Sequence, residues 1–209
     1  MTEYSPFFDD TGLNRQRVET IVADALKGMD DGELFFEYDQ TEAVSIDDGC
    51  IRSASFSTSQ GFGLRSVSGD TCGFAHANEL TETAIARAAE TVKAITKSTE
   101  ATHSVNLTPN RPACALYSNV NPIHEVAFGD KVLLLQEIDA YLRAKDARVK
   151  QVSASVLGNY QVIEILRPSE DALSDIRPLV RVNISVVVEQ DGRMETGSSG
   201  AGARAGYDA

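Results

Sequence analysis

Three histidines, His76, His103 and His124, bound any catalytic reading of the chain. His124-Glu125 opens like the helix of a zinc peptidase, in which two imidazoles one turn apart face the metal. The second ligand belongs four or five residues on, where Phe128 and Gly129 stand. The metal reading of His124 therefore fails on spacing, and His76 and His103 have no histidine partner at ligand spacing. No Gly-x-Ser-x-Gly elbow is present to expose a nucleophilic serine. Cys50, Cys72 and Cys114 are odd in number and widely spaced, with no Cys-x-x-Cys. Small buried thiols in a reducing compartment are their ordinary reading. The residues alone predict no catalytic and no metal-binding side chain.

Two glycine patterns invite phosphate chemistry. Asp48-Gly49 leads into Gly61-x-Gly63-x-Arg65, and Asp191-Gly192 leads into Gly200-x-Gly202-x-Arg204. A dinucleotide fingerprint needs a third glycine and then a helix whose N-terminus holds pyrophosphate. Ser66 takes the third position, and a strand is expected after it. The run Gly197–Gly206 lacks the Lys-Ser/Thr of a P-loop. Sheet curvature or close backbone approach explains such glycines better. Arg65 and Arg204 are expected on strands, each paired with a neighbouring Asp or Glu. Gly61, Gly63, Arg65, Gly200, Gly202 and Arg204 are thus structural candidates, and substrate-binding residues are not legible.

The elements that would position these residues follow from periodicity. Val18, Ile21, Val22 and Ala25 mark one helix face, with Gly28 as its C-terminal stop. In Glu33–Asp39, Leu34, Phe36 and Tyr38 alternate with Glu33, Glu37 and Asp39, which predicts a half-buried strand with a solvated acidic face. Short strands are expected at 42–47, Ile51–Ser57, Phe62–Val67 and Thr71–Ala77, joined by turns at Asp48-Gly49 and Ser68-Gly69-Asp70. An Ala-rich helix over 80–97 has Ile85, Ala88, Ala89, Val92 and Ile95 on its buried stripe, with Thr81 or Asn78 as cap. The Pro-punctuated, polar segment 98–121 reads as a connection. Pro122 opens a further helical region to residue 145, with Leu134, Leu135, Ile138, Tyr141 and Leu142 facing inward. Gly158-Asn159 predicts a hairpin between Val149–Leu157 and Tyr160–Leu166. Leu179–Glu189 alternates most clearly of all.

The expected class is α+β: antiparallel meander sheets packed with helices. The recurring order of helix, strands, Asp-Gly and Gly-x-Gly-x-Arg predicts an internal duplication, with one repeat over 12–97 and a second over 122–209. The second copy has few residues after Arg204, so a strand is expected to be cut short there.

Composition excludes several function classes. The net charge of −12 opposes contact with nucleic-acid phosphates. Arg143, Lys145, Arg148 and Lys150 break the acidic trend and read as a helix end where the dipole favours cations. No apolar run reaches the ~20 residues needed to cross a bilayer. The N-terminus MTEYSPFFDD has no basic region and no apolar core, so a cytoplasmic location is expected.

The run GELFFEYDQTEAVSIDDGCIRSASFSTSQGFGLRSVSGDTCGFAHANEL closely resembles the N-terminal region of the TldD/PmbA family, once called modulators of DNA gyrase and now understood as metallopeptidases. RVKQVSASVLGNYQVIEIL and DIRPLVRVNISVVVEQDGRMETGSSGAGARAGYD are similar to the same family in the same order. The second segment looks more like the TldD subunit than its PmbA (TldE) partner. The resemblance implies one subunit of a two-subunit cytosolic peptidase that cleaves unfolded peptides in a closed chamber. It also implies zinc held by a His-Glu-x-x-x-His helix and a later cysteine, a motif expected beyond Ala209. No residue here inherits a zinc-ligand or base role. What is expected is an N-terminal, non-catalytic domain that walls the chamber and presents strand edges to an extended peptide. The alternative is a peptide-binding or assembly module with no protease activity.

Overall fold

Turn chemistry sets the order of the strands. Asp48 and Gly49 both take positive φ, 50° and 74°, and Asp191 and Gly192 do the same at 53° and 81°. Paired positive φ values make the type I′ turn, whose twist matches that of the flanking strands. At the third hairpin Gly69 alone has positive φ, 56°, as a type II′ turn requires of its first central residue.

A computed structural model describes residues 5–96, 116–168 and 170–207. His103, Cys114 and most of the connection at 98–121 lie outside the described residues. The elements are α1 (Pro6–Asp9), α2 (Arg15–Ala25), β1 (Asp31–Asp47), β2 (Cys50–Ser68), β3 (Thr71–Ala77), α3 (Glu82–Thr96), α4 (Pro122–Glu125), α5 (Phe128–Lys145), β4 (Val149–Leu166), β5 (Leu173–Gln190) and β6 (Arg193–Ala203). The six strands hydrogen-bond in the order β3-β2-β1-β4-β5-β6, and the fold is α+β as expected. The strands are fewer and longer than the sequence suggests. Residues 33–39 and 42–47 form the single 17-residue β1, and Ile51–Ser57 joins Phe62–Val67 in the 19-residue β2.

The predicted turn at Gly158-Asn159 does not exist, because β4 runs through it. Gly158 has no positive φ. A side chain there would meet the Tyr207 hydroxyl at 2.8 Å, so the glycine serves close approach. The Asn159 amide spans to β1, donating to Asp39 Oδ2, the Gln40 carbonyl and Thr41 Oγ1. Three cross-strand bonds hold extended what the dipeptide alone would let turn.

The chain divides into two units, with boundaries inside β1, β2, β4 and β5. Unit 1 comprises Met1–Tyr38, Ser59–Cys114 and Val162–Asp175. Its core is aromatic at the centre: Phe36 stacks on Phe7 at 5.2 Å and meets Phe8 and Phe62 edge-on. Val18 and Val22 of α2, and Ile85 and Val92 of α3, are buried in the same unit. Thr81 caps α3 by accepting from the Ala84 N–H at 3.2 Å. Ile95, predicted on the buried stripe of α3, is 40% exposed, and Thr96 is buried instead, its hydroxyl donating to the Val92 carbonyl.

Unit 2 comprises Asp39–Thr58, Ala115–Gln161 and Ile176–Ala209. Val44, Ile46, Ala154 and Val156 form its core with Leu135 of α5. The sequence misjudges the rest of this helix. Its buried residues are Lys131, Leu135 and Asp139, whereas Leu134 is 42% and Tyr141 59% exposed. Steps of four residues keep one stripe on the sheet. Two charges on that stripe are tolerated because each is partnered. Lys131 Nζ pairs with Glu42 and donates to the Ile123 carbonyl, and Asp139 accepts from Arg143. Arg143 also pairs with Asp48, whose Oδ1 accepts from the Val152 N–H, so the first hairpin turn is tied to α5 and β4.

This assignment of the α5 face has a direct test. Leu135→Ala should cost about 2–5 kcal/mol in urea denaturation, as other deletions of a fully buried leucine do. Leu134→Ala should cost no more than about 1 kcal/mol. Equal losses would restore the face the periodicity suggests.

Candidate functional site

The two histidines among the described residues give no centre. His124 lies exposed on α4, which ends at Glu125, and Val126 takes extended backbone before α5 begins at Phe128. Positions 124 and 128 therefore sit on different helices and share no face. His76 is exposed on β3 and stacks on Phe74 at 5.7 Å. Cys50 and Cys72 are free but exposed, against the expectation of buried thiols. Cys50 flanks the Asp48-Gly49 turn and Cys72 sits on the outward side of β3. Among the described residues no group of three or more His, Cys, Asp or Glu side chains could hold a metal. The described residues do not fit a zinc site.

Arg65 does what its ordinary reading predicts. On β2 it donates from Nε to Glu33 Oε1 at 2.6 Å and from Nη2 to Asp31 Oδ2 at 2.5 Å and Glu33 Oε2 at 2.8 Å. Arg167 adds a second cation 3.5 Å from Glu33. Burial pushes the Asp31 carboxyl up, but the hydrogen bond and charge of Arg65 outweigh it and hold the group below its ordinary value. Hydrogen bonding to Glu33, ahead of Asp31, holds the Arg65 proton more firmly than usual. The acidic face of β1 is thus not simply solvated: Glu33 pairs with two arginines and Asp39 accepts from Asn159.

Arg204 departs from expectation. β6 ends at Ala203, so Arg204 follows the strand; it is exposed, with its guanidinium 5.6 Å from the Tyr117 ring centre. The two Gly-x-Gly-x-Arg elements also hold different places: β2 lies inside the sheet between β1 and β3, and β6 ends the strand order. The correspondence of Arg65 with Arg204 therefore fails. The glycines do serve close approach. A side chain at Gly61 would meet the Ala77 carbonyl at 2.8 Å, and one at Gly63 the Phe74 ring at 3.1 Å. Gly200 pairs with Asn183 and Gly202 with Arg181 across β5 and β6. At Gly200 the obstacle is Asn183 Oδ1, and at Gly202 the Val180 carbonyl, each at 2.8 Å.

Strand edges were expected, but the sequence reading does not say which stretches they are. β3 pairs only with Phe62–Ser68 of β2, leaving Cys50–Gly61 without a β3 partner. Cys50–Gln60 is exposed throughout. β6 pairs with β5 along Arg193–Ala203 and ends the strand order, and its residues through Gly202 are exposed. An unpaired edge offers a row of N–H and C=O groups to another extended chain. The signal was readable: the helix cap at Thr81 comes too soon for β3 to match the length of β2.

Two consecutive domain models match the chain, "PmbA/TldA metallopeptidase domain 1" over residues 32–96 and "PmbA/TldA metallopeptidase central domain" over residues 121–209. The fold recurs in a putative modulator of DNA gyrase from Bacteroides thetaiotaomicron, with a TM-score of 0.68 and 14% identity over 92% of this chain and 45% of that one. It recurs also in TldE from Thermococcus kodakarensis, with a TM-score of 0.65 and 13% identity over 90% and 43%. In sequence, the chain is 36% identical to a metalloprotease TldD homolog of Haemophilus influenzae, over 87% of its own length and 38% of the relative's. It is 33% identical to the corresponding homolog of Buchnera aphidicola subsp. Schizaphis graminum, over 93% and 40%.

The chain belongs to the PmbA/TldD family. It spans about two-fifths of the length of these curated relatives.

The Arg65 cluster predicts a pH-dependent stability. A carboxyl whose folded pKa is depressed stabilises the fold above its unfolded pKa, near 3.9, and that contribution fades as pH falls through the folded value. The stability gap between wild type and Arg65→Gln should thus be full at pH 6–7, on the order of 2 kcal/mol, and narrow below about pH 4. A gap that is flat or widens in acid would contradict the assignment.

Proposed function

We propose that the chain is the N-terminal, non-catalytic part of a TldD-like zinc metallopeptidase subunit that degrades or processes unfolded peptides. Its role is scaffold and chamber wall. One observation carries the reading: the chain matches two successive domains of a metallopeptidase family, yet its one zinc-peptidase-like dipeptide, His124-Glu125, lies on a helix too short to present a second ligand. Zinc belongs, in this reading, to the full-length protein. The partner is a TldE/PmbA-like subunit or a second copy, and the setting is the cytoplasm. Nucleic acid is not a partner of a surface with a net charge of −12, and no membrane role is assigned; no helix among the described residues is long and apolar enough to cross one.

The strand edges favour one further reading, a peptide-binding or assembly module without protease activity. Cys50–Gln60 and Arg193–Gly202 are exposed strand segments suited to main-chain recognition, which either reading can use. A His-Glu-x-x-x-His motif encoded downstream of residue 209 separates the two. The domain organisation we propose is a repeat over 12–97 and 122–209, each with helix ahead of three antiparallel strands. The strand order β3-β2-β1-β4-β5-β6 supports it, with β1 and β4 central.

Cleavage of an unfolded peptide, followed by mass spectrometry, tests the division of labour. Full-length protein with its partner subunit should cut the peptide. The chain of residues 1–209, given one equivalent of zinc, should leave it intact. Cleavage by the chain alone would sink the proposal.

A further inference from the structure

One side of the unit 2 sheet carries a feature that core packing does not use. Strand alternation sends Val44, Ile46, Ala154 and Val156 to α5, and the intervening residues to the opposite face. There Ser45, Ser153, Asn183, Arg52, Arg181 and Gly200 help line a cavity of about 670 Å³, a size that suits a small ligand or a few residues of peptide. The walls are rich in hydroxyls, which donate and accept.

Two cations in this cavity form no ion pair among the described residues. Arg181 donates from Nε to Asn183 Oδ1 at 3.0 Å and makes no ion pair among the described residues. Arg52 makes none either; Asp47 feels its charge but is held first by hydrogen bonds from Gln151 and Ser153. Both arginines are exposed. In a chain of net charge −12, two arginines in one polar cavity with no direct ion pair among the described residues are unusual neighbours. The second Gly-x-Gly adds to this. Gly200 and Gly202 stand opposite Asn183 and Arg181, and with no side chain of their own they leave both uncovered.

We infer that this cavity is a subsite for a carboxylate on an extended peptide, with Arg52 and Arg181 as the charge-recognising pair and the serine and asparagine side chains as hydrogen-bonding walls. Guanidinium groups match carboxylates in geometry and charge. The inference rests on the peptide-handling function proposed above and adds a preference for acidic segments.

Fluorescence anisotropy on the full-length, metal-free protein tests it. The probes are a dye-labelled decapeptide with two central glutamates and blocked ends, its glutamine counterpart, and that counterpart with a free C-terminal carboxylate. The glutamate peptide should bind tightest, and Arg52→Gln with Arg181→Gln should weaken it about tenfold, in line with the loss of two partly exposed charge contacts. The double variant should leave the neutral peptide unchanged and keep the wild-type melting temperature, as should the control Arg17→Gln, which also leaves glutamate binding intact. Tighter binding of the free-carboxylate peptide than of the glutamate one would assign the cavity to a chain terminus, still by carboxylate recognition. Equal binding of glutamate and glutamine peptides, unmoved by the double variant, would overturn the subsite and leave peptide handling standing. No binding of any peptide would overturn both. Displacement of the glutamate peptide by a single-stranded oligonucleotide at physiological salt would overturn the ligand class.

Discussion

Everything in unit 2 depends on the period of two along its strands, with a helix packed on one face. Leu135 of α5 seals Val44, Ile46, Ala154 and Val156 on one side. The same alternation turns Ser45, Ser153 and Ser155 the other way. A slip of one residue in β1 or β4 would exchange these sets, exposing the core and burying hydroxyls. The register is held by more than the ladder. Asp48 accepts from the Val152 N–H and pairs with Arg143, and Asn159 donates to three oxygens of β1. Polar bonds between strands therefore fix which face is core and which is surface.

Unit 1 solves the corresponding problem with aromatic packing and a charged cluster. Phe7, Phe36 and Phe62 fill its centre, and Arg65 crosses from β2 to Glu33 and Asp31 of β1. Glu164 is almost wholly buried, yet it accepts from Ser5 Oγ at 2.6 Å and pairs with Arg15 at 2.5 Å. A buried carboxylate without such partners would be costly. In this way charge ties the N-terminal segment to β4.

Much of this was legible in the sequence. The Asp-Gly turns, the alternation in 33–39 and 179–189, the Thr81 cap and the ion pairing of Arg65 all follow from local chemistry. Other features did not, three of them for reasons that lie far away in the chain or the fold. Gly158-Asn159 looks like a turn because the bonds that straighten it come from β1, far away in sequence. Leu134 and Tyr141 look buried on α5 because apolar periodicity cannot know that Lys131 and Asp139 will find Glu42 and Arg143. The equation of Arg65 with Arg204 trusted a motif where strand order decides: β2 is flanked on both sides and β6 ends the order. Strand edges were expected in kind but not in place, since an open edge is defined by the length of the neighbouring strand.

In the proposed role, uncovered strands rather than reactive side chains meet the peptide. Backbone hydrogen–deuterium exchange on the metal-free full-length protein, with and without an unfolded peptide, tests this most directly. Amides in Cys50–Gln60 and Arg193–Ala203 should gain protection when peptide is bound. Peptide binding that leaves both segments exchanging as before would contradict the account.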